Sequence, residues 1–266
     1  LDNNSRSERK KFIKSQWQFY KSDPYWVPPV IADKMNDMDP QKNPFYKHAE
    51  LQLFTAEKNG ETAGRIAAIV NYNHNKTHKD KVGFFGWFEC ENNQETADAL
   101  FDAAADWLRT KEMDTMRGPE NPSMNDEIGL LVEGFDSPPV ILDTYNPPYY
   151  IKLLENNGFV KAKDLYAYYL KEGFESDKLK RLRDLIHKRY DIKFREVNLK
   201  DKTQFEKDID DIKEVYNSAW EPNWGFVKWT EEEMDHLSVG LKQLADPKVE
   251  IIMTIKDELA GFCIVL

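Results

Sequence analysis

Twice in this chain, apolar and polar positions follow a strand-like pattern on both sides of a short polar turn. Residues 50–60 run into 61–70, and residues 249–257 run into 258–266. Each pair reads as a β-hairpin, and each second strand opens on Ala-Gly (Ala63-Gly64 and Ala260-Gly261). A helix-rich segment precedes each hairpin. The same supersecondary unit used twice predicts two related domains in tandem.

Between the hairpins the period changes repeatedly. Residues 8–21 predict an amphipathic helix carrying Phe12, Ile13, Trp17, Phe19 and Tyr20, ended by Asp23-Pro24 and Pro28-Pro29. Residues 81–90 (KVGFFGWFEC) are apolar on both faces and predict a strand in the middle of a sheet. Residues 94–111 predict a helix with Ala97, Leu100, Phe101, Ala104, Ala105 and Leu108 on its buried side. A short strand at 114–117 follows, then a stretch rich in Pro, Gly, Asn and Asp at 118–148 that holds the apolar fragment 128–132 and a strand at 140–142. A short helix at 148–157, stopped by Gly158, leads to a closing strand at 159–170. Helices are expected at 175–190, 203–220 and near 230–245, with a strand at 192–197. The predicted class is α/β, a mixed central sheet flanked by helices. The expected division is a first domain at 1–172, a connector helix at 173–190 and a second domain at 191–266.

Composition narrows the function classes. In 266 residues, 41% hydrophobic and 13% aromatic content suffices for packed cores, and the formal net charge of −10 disfavours nucleic acid as a partner. Only two cysteines, Cys90 and Cys263, are present, without metal-ligand spacing. No apolar run reaches the length of a membrane span and the chain opens on charged residues. The expectation is a reduced, cytoplasmic protein with no membrane partner.

The order helix, hairpin, central apolar strand, long amphipathic helix, strand, then a short helix closed by Asn157-Gly158-Phe159, resembles the GNAT acyltransferase superfamily. Residues 192–266 look like the first half of a second such domain, whose cofactor strand, loop and helix would follow Leu266. The resemblance implies an acyl-CoA co-substrate such as acetyl-CoA, an amine acceptor, and contact with the donor at the end of the central strand, near Phe88 and Cys90. It also implies a glycine-containing loop after that strand to cradle the pyrophosphate. Here Glu91-Asn92-Asn93-Gln94-Glu95-Thr96 occupies that place, with no glycine and with carboxylates that repel phosphate. The tyrosine that often stands four residues before the Gly of Gly-Phe is Leu154 in this chain. Tyr145, Tyr149 and Tyr150 lie nearby; Tyr145 is the candidate acid, and packing is the alternative role for this tyrosine-rich turn.

The loop Arg117-Gly118-Pro119-Glu120-Asn121-Pro122-Ser123-Met124-Asn125-Asp126-Glu127 follows a strand expected to end at the splayed centre of the sheet. Asn121, Asn125 and Glu127 are candidates to orient or deprotonate an amine, with Glu127 as the base, and Arg117 to pair with an acidic group; alternatively these residues only build turns. Trp220 and Trp224 are candidate aromatic walls of an acceptor pocket, or the seal of an interface. His74 and His78 have metal-like spacing on a helix, but their Asn- and Lys-rich segment reads as a solvated loop. Three functions follow: acyl transfer from acyl-CoA to a small-molecule amine or aminoacyl substrate, a non-catalytic module using the same sheet for a ligand or partner, and a Fem-like transfer of aminoacyl groups from tRNA, disfavoured by the acidic charge.

Overall fold

The computed structural model describes residues 1–171, 173, 176–244, 246 and 248–265. Two compact units are present, Leu1–Leu165 with Gly225–Val227, and Tyr166–Trp224 with Lys228–Leu266.

In the first unit α1 (Arg6–Ser15) runs into a 3-10 turn at Gln16–Gln18, and α2 (Ile31–Asp37) precedes the hairpin of β1 (Ala49–Lys58) and β2 (Glu61–Asn71). Then come α3 (Tyr72–His78), β3 (Val82–Cys90), α4 (Gln94–Thr110), β4 (Thr115–Arg117), β5 (Glu120–Asn121), β6 (Glu127–Ile128) and α5 (Tyr150–Asn156). The sheet order is β1-β2-β3-β4, antiparallel up to β3 and parallel between β3 and β4. All nine residues of β3 are buried, because helices cover both faces of the sheet. Ile66, Ala68 and Val70 of β2 face the α4–α5 layer with Leu100, Phe101 and Leu153, while Ala67 and Ile69 face Phe12 and Ile13 of α1.

A bulge interrupts this alternation in β3. Arg65 pairs with Glu89 but Ala67 pairs with Gly86, so β3 carries one residue more than β2 over the same span. Trp87 takes a positive φ of 44° there. Phe85 joins the α4 layer and Phe84 the α1 layer. Beyond the bulge the parity is reversed, with Phe88 and Cys90 in the α4 layer and Trp87 in the α1 layer.

The second unit holds α6 (Asp177–Arg189), β7 (Ile192–Glu196), α7 (Lys202–Trp220), α8 (Glu231–Leu244), β8 (Ile251–Ile255) and β9 (Glu258–Cys263). Its antiparallel sheet has the order β7-β8-β9. Val197, Phe205, Ile209, Ile212, Met234 and Ile252 form its core. Asp208, fully buried on α7, accepts from Arg195 (2.5 Å), Gln204 (2.8 Å) and the Asn198 N–H (2.9 Å), which ties β7 to α7.

The two hairpins share more than their pattern. Both turns place two consecutive residues at positive φ, Asn59-Gly60 and Lys256-Asp257, as a tight two-residue connection between twisted strands requires. Each then skips one residue in register. Thr62 pairs with Glu57 and Gly64 with Ala56, leaving Ala63 over; Leu259 pairs with Thr254 and Gly261 with Met253, leaving Ala260 over. The repeated Ala-Gly is therefore the signature of a β-bulge.

Three expectations are corrected. Residues 140–142 and 159–170 form no strand: the first unit's main sheet stops at the three-residue β4, and neither segment pairs with a strand among the described residues. Val140, Ile141 and Leu142 are exposed, with Leu142 in the left-handed region (φ 68°). The segment holding His74 and His78 is a helix rather than a loop, because the Asn71 side chain accepts from the His74 N–H and caps it.

Candidate functional site

β3 and β4 part company after Phe84. Their parallel pairing covers only Val82–Thr115, Gly83–Met116 and Phe84–Arg117. Past that point the chain crosses over β3 so closely that a Cβ on Gly86 would lie 1.8 Å from the Glu120 carbonyl oxygen, and one on Gly118 2.3 Å from that of Phe85. Among the described residues no strand pairs with the rest of this β3 edge, and three of its backbone groups are satisfied by side chains. The Trp87 N–H donates to Asn121 Oδ1 (2.6 Å), the Cys90 N–H donates to the Tyr150 hydroxyl oxygen (2.9 Å), and the Tyr149 hydroxyl donates to the Cys90 carbonyl (2.7 Å).

Behind this edge lies a buried ionic cluster. The Glu89 carboxylate accepts from Tyr20 (2.8 Å) and Tyr150 (2.7 Å), and Arg65 stands 3.5 Å away. Arg65 in turn donates to the Phe12 and Ile13 carbonyls at the end of α1 (2.7 and 3.2 Å). Burial pushes Glu89 above the usual glutamate range, opposed by Arg65 and both tyrosines. Trp26 stacks on Tyr20 at 4.8 Å, and the Tyr145 hydroxyl donates to Asp23 (2.8 Å). Burial together with the Asp23 carboxylate raises the Tyr145 hydroxyl to about 12.

The loop after β4 makes a second cluster. Glu120 is buried, and that burial lifts its carboxyl to about 8 although Arg117 Nε stands 3.4 Å away and lowers it. Arg117 also lies over the Phe84 ring at 4.9 Å. Lys34 of α2 bonds Glu127 (2.8 Å) and approaches Asp37 (3.5 Å); the Ser123 hydroxyl donates to Asp126 (2.6 Å). Asn125 donates to the Val227 carbonyl (3.1 Å).

Arg117, Asn121, Asn125 and Glu127 are thus gathered on one loop, with Asn121 fastening that loop to the β3 bulge. Tyr145 belongs to the strand-end cluster instead. Phe88 stacks on Phe101 (4.7 Å) and Cys90 is buried, its thiol raised to about 12 by burial, so both side chains belong to the core. Trp220 and Trp224 are exposed residues of the second unit, and Trp220 stacks on Tyr216 (5.7 Å). Glu89, Arg65, Tyr20, Lys34 and Glu120 were not singled out by sequence as site residues. The signal available for Glu120 was its place between Gly118 and Asn121, where the backbone must approach another strand.

Residues at the donor position of the GNAT scheme do not fit an acyl-CoA in the first unit. Asn93 caps α4 by accepting from the Thr96 N–H (2.9 Å), Glu91 accepts from the Thr96 hydroxyl (3.1 Å), and the β3 edge is closed by Tyr149 and Tyr150. Among the described residues, no group of three or more His, Cys, Asp or Glu is arranged to hold a metal ion, and no helix is long and apolar enough to cross a membrane. His74 is buried edge-on to Phe84 (4.9 Å), and burial lowers its imidazole to about 4.

Comparison with known proteins gives the relatives of this arrangement. The chain is 33% identical over 261 residues to the bacterial ceramide synthase of Caulobacter vibrioides, a match covering 98% of this chain and 67% of that protein. The chain belongs to the bacterial ceramide synthase family. It is also 31% identical over 262 residues to protein YghO of Escherichia coli, covering 98% of this chain and 66% of that one. This family member therefore spans about two thirds of the length of these relatives. No family model matches the sequence. Among solved structures, a tandem GNAT protein from the clavulanic acid biosynthesis pathway superposes with a TM-score of 0.50 at 10% identity, over 98% of this chain and 71% of that one. That likeness shows the GNAT fold.

Proposed function

We propose that this protein is an N-acyltransferase that joins an acyl group from acyl-CoA to the amine of a long-chain amino alcohol. The observation that carries the reading is the match, over 98% of this chain, to a protein named for ceramide synthesis, on a fold shared with GNAT proteins. A ceramide is the amide of such an amine, so its synthesis requires one C–N bond to form and one thioester C–S bond to break. The amine gives up a proton and the departing thiolate takes one.

In this reading the first unit receives the acceptor and the donor is gripped elsewhere, as in a tandem arrangement whose second domain holds the cofactor. The closed β3 edge and the glycine-free segment after it support that division. Glu120, with a proton affinity near neutrality, accepts the amine proton, a poise suited to a general base. Arg117 sets the Glu120 carboxylate in place. Glu127 and Tyr145 are engaged with Lys34 and Asp23, so they brace the walls of the site.

The test is to incubate the complete protein with a long-chain acyl-CoA and a long-chain 2-amino alcohol, following amide by mass spectrometry and free CoA by thiol titration. Equal yields of both are expected. CoA release without amide, or no reaction with any chain length, refutes the reading.

A further inference from the structure

Helix α6 has no buried residue. Its large apolar side chains Leu179, Leu182, Leu185 and Ile186 are 45%, 49%, 64% and 37% exposed, and their spacing of three, three and one puts them along one side. Thirteen residues of ordered helix thus hold four aliphatic side chains in water, which costs free energy unless something covers them.

The charge on the same helix indicates what that is. Residues 177–189 contain six Lys or Arg against two Asp, a formal charge of +4 in a chain whose total is −10. Of these, Lys178, Lys180, Arg181 and Arg183 lie in the first half and Lys188 and Arg189 at the end. Long basic side chains can lay their methylenes beside the apolar stripe and lift their heads to a polar boundary. Just before the helix, Tyr166, Tyr168 and Tyr169 are also exposed, and rings with one apolar and one polar end suit the same boundary. Near its end Phe194, also exposed, contacts His187 with ring centroids 5.9 Å apart.

We propose that α6 is a membrane-surface helix that lies on an anionic lipid bilayer, apolar side down, with its lysines and arginines among the headgroups. Pairing with a second copy would set +4 against +4. An anionic lipid surface complements both the charge and the stripe. This seat is distinct from a span, and it does not rest on the acyl-transfer reading.

Flotation of the purified protein with vesicles tests it. Partitioning onto phosphatidylcholine vesicles containing phosphatidylglycerol is expected, weakening with added salt and much lower on phosphatidylcholine alone. Lys180→Gln with Arg181→Gln should reduce the partition coefficient about 30-fold, at roughly fivefold per basic residue. Leu182→Glu with Leu185→Glu should reduce it to background, with an unchanged circular dichroism spectrum because both sites are exposed. Three results overturn the proposal: no partitioning onto either vesicle, equal partitioning onto both, or wild-type partitioning by the Leu182→Glu/Leu185→Glu protein. A dimer in light scattering that this variant abolishes, without vesicle binding, assigns the face to a second copy.

Discussion

Replacing Glu120 by Gln removes one ionisation from the loop over β3 while keeping the shape of the side chain. The Glu120 carboxyl titrates at about 8 in the folded protein and at the ordinary glutamate value of 4.5 once the chain unfolds. Its folded value is the higher one, so the stability it contributes is complete below pH 4.5 and is lost as pH rises through 8. Between those values the unfolded chain releases a proton that the folded chain keeps, and stability falls by about 1.4 kcal/mol per pH unit. Over the full interval the loss is about 5 kcal/mol, large beside the ~5–15 kcal/mol that holds a domain together. Urea denaturation at a series of pH values, for wild type and Glu120→Gln in parallel, isolates this group, since every other titration is shared. The difference in unfolding free energy should change steadily in favour of the variant from pH 5 to pH 8. Parallel profiles would mean that Glu120 is charged and solvated at neutral pH, without the raised proton affinity on which its assignment as the general base rests.

Tyr150→Phe deletes the hydroxyl that donates to Glu89 and accepts from the Cys90 N–H, leaving a buried amide without its partner; a loss of about 3–5 kcal/mol is expected by denaturation. A loss below ~1 kcal/mol would show that the β3 edge is not sealed by this side chain. Gly86→Ala forces a methyl into the Glu120 backbone and should cost at least ~3 kcal/mol. By contrast Gly240→Ala, with open space around it in α8, should be neutral or stabilising by up to ~1 kcal/mol in the same measurement. Equal behaviour of the two alanines would refute the close crossing of β5 over β3.

Both hairpins, the central place of β3 and the buried face of α4 were legible in the sequence, because each is a local period long enough to stand above noise. The strands expected at 140–142 and 159–170 have apolar residues suited to strands, yet a strand exists only where another offers its edge, and no periodicity reveals that β4 is three residues long. The sequence offers Asn121 as a candidate to orient an amine because its loop follows a strand expected to end at the splayed centre of the sheet, with turn-building as the alternative. Its carbonyl oxygen is used by the Trp87 N–H, and a bulge in a strand over thirty residues away leaves no mark at position 121. Glu120 was passed over for the same reason: in a stretch of Pro, Asn and Ser, nothing announces that one carboxylate is covered. The helix at 72–78 was misread from its polar composition, although Asn71, standing three residues before His74, was the capping signal.

The extra residue at Trp87 divides β3 into two half-strands read in opposite frames. Excising Gly86 would only close the bulge, leaving Phe88 and Cys90 under α4 and Glu89 toward α1. Excising Phe88 with the bulge kept would exchange the layers beyond it, sending Cys90 toward α1 while Glu89, with its charge, swung beneath α4. A single-codon deletion beyond the bulge would thus be more damaging than most substitutions. Within β3 a change of length is absorbed only at the bulge, whereas stretches such as 129–148, where no backbone ladder keeps count, accept one without reversing a face.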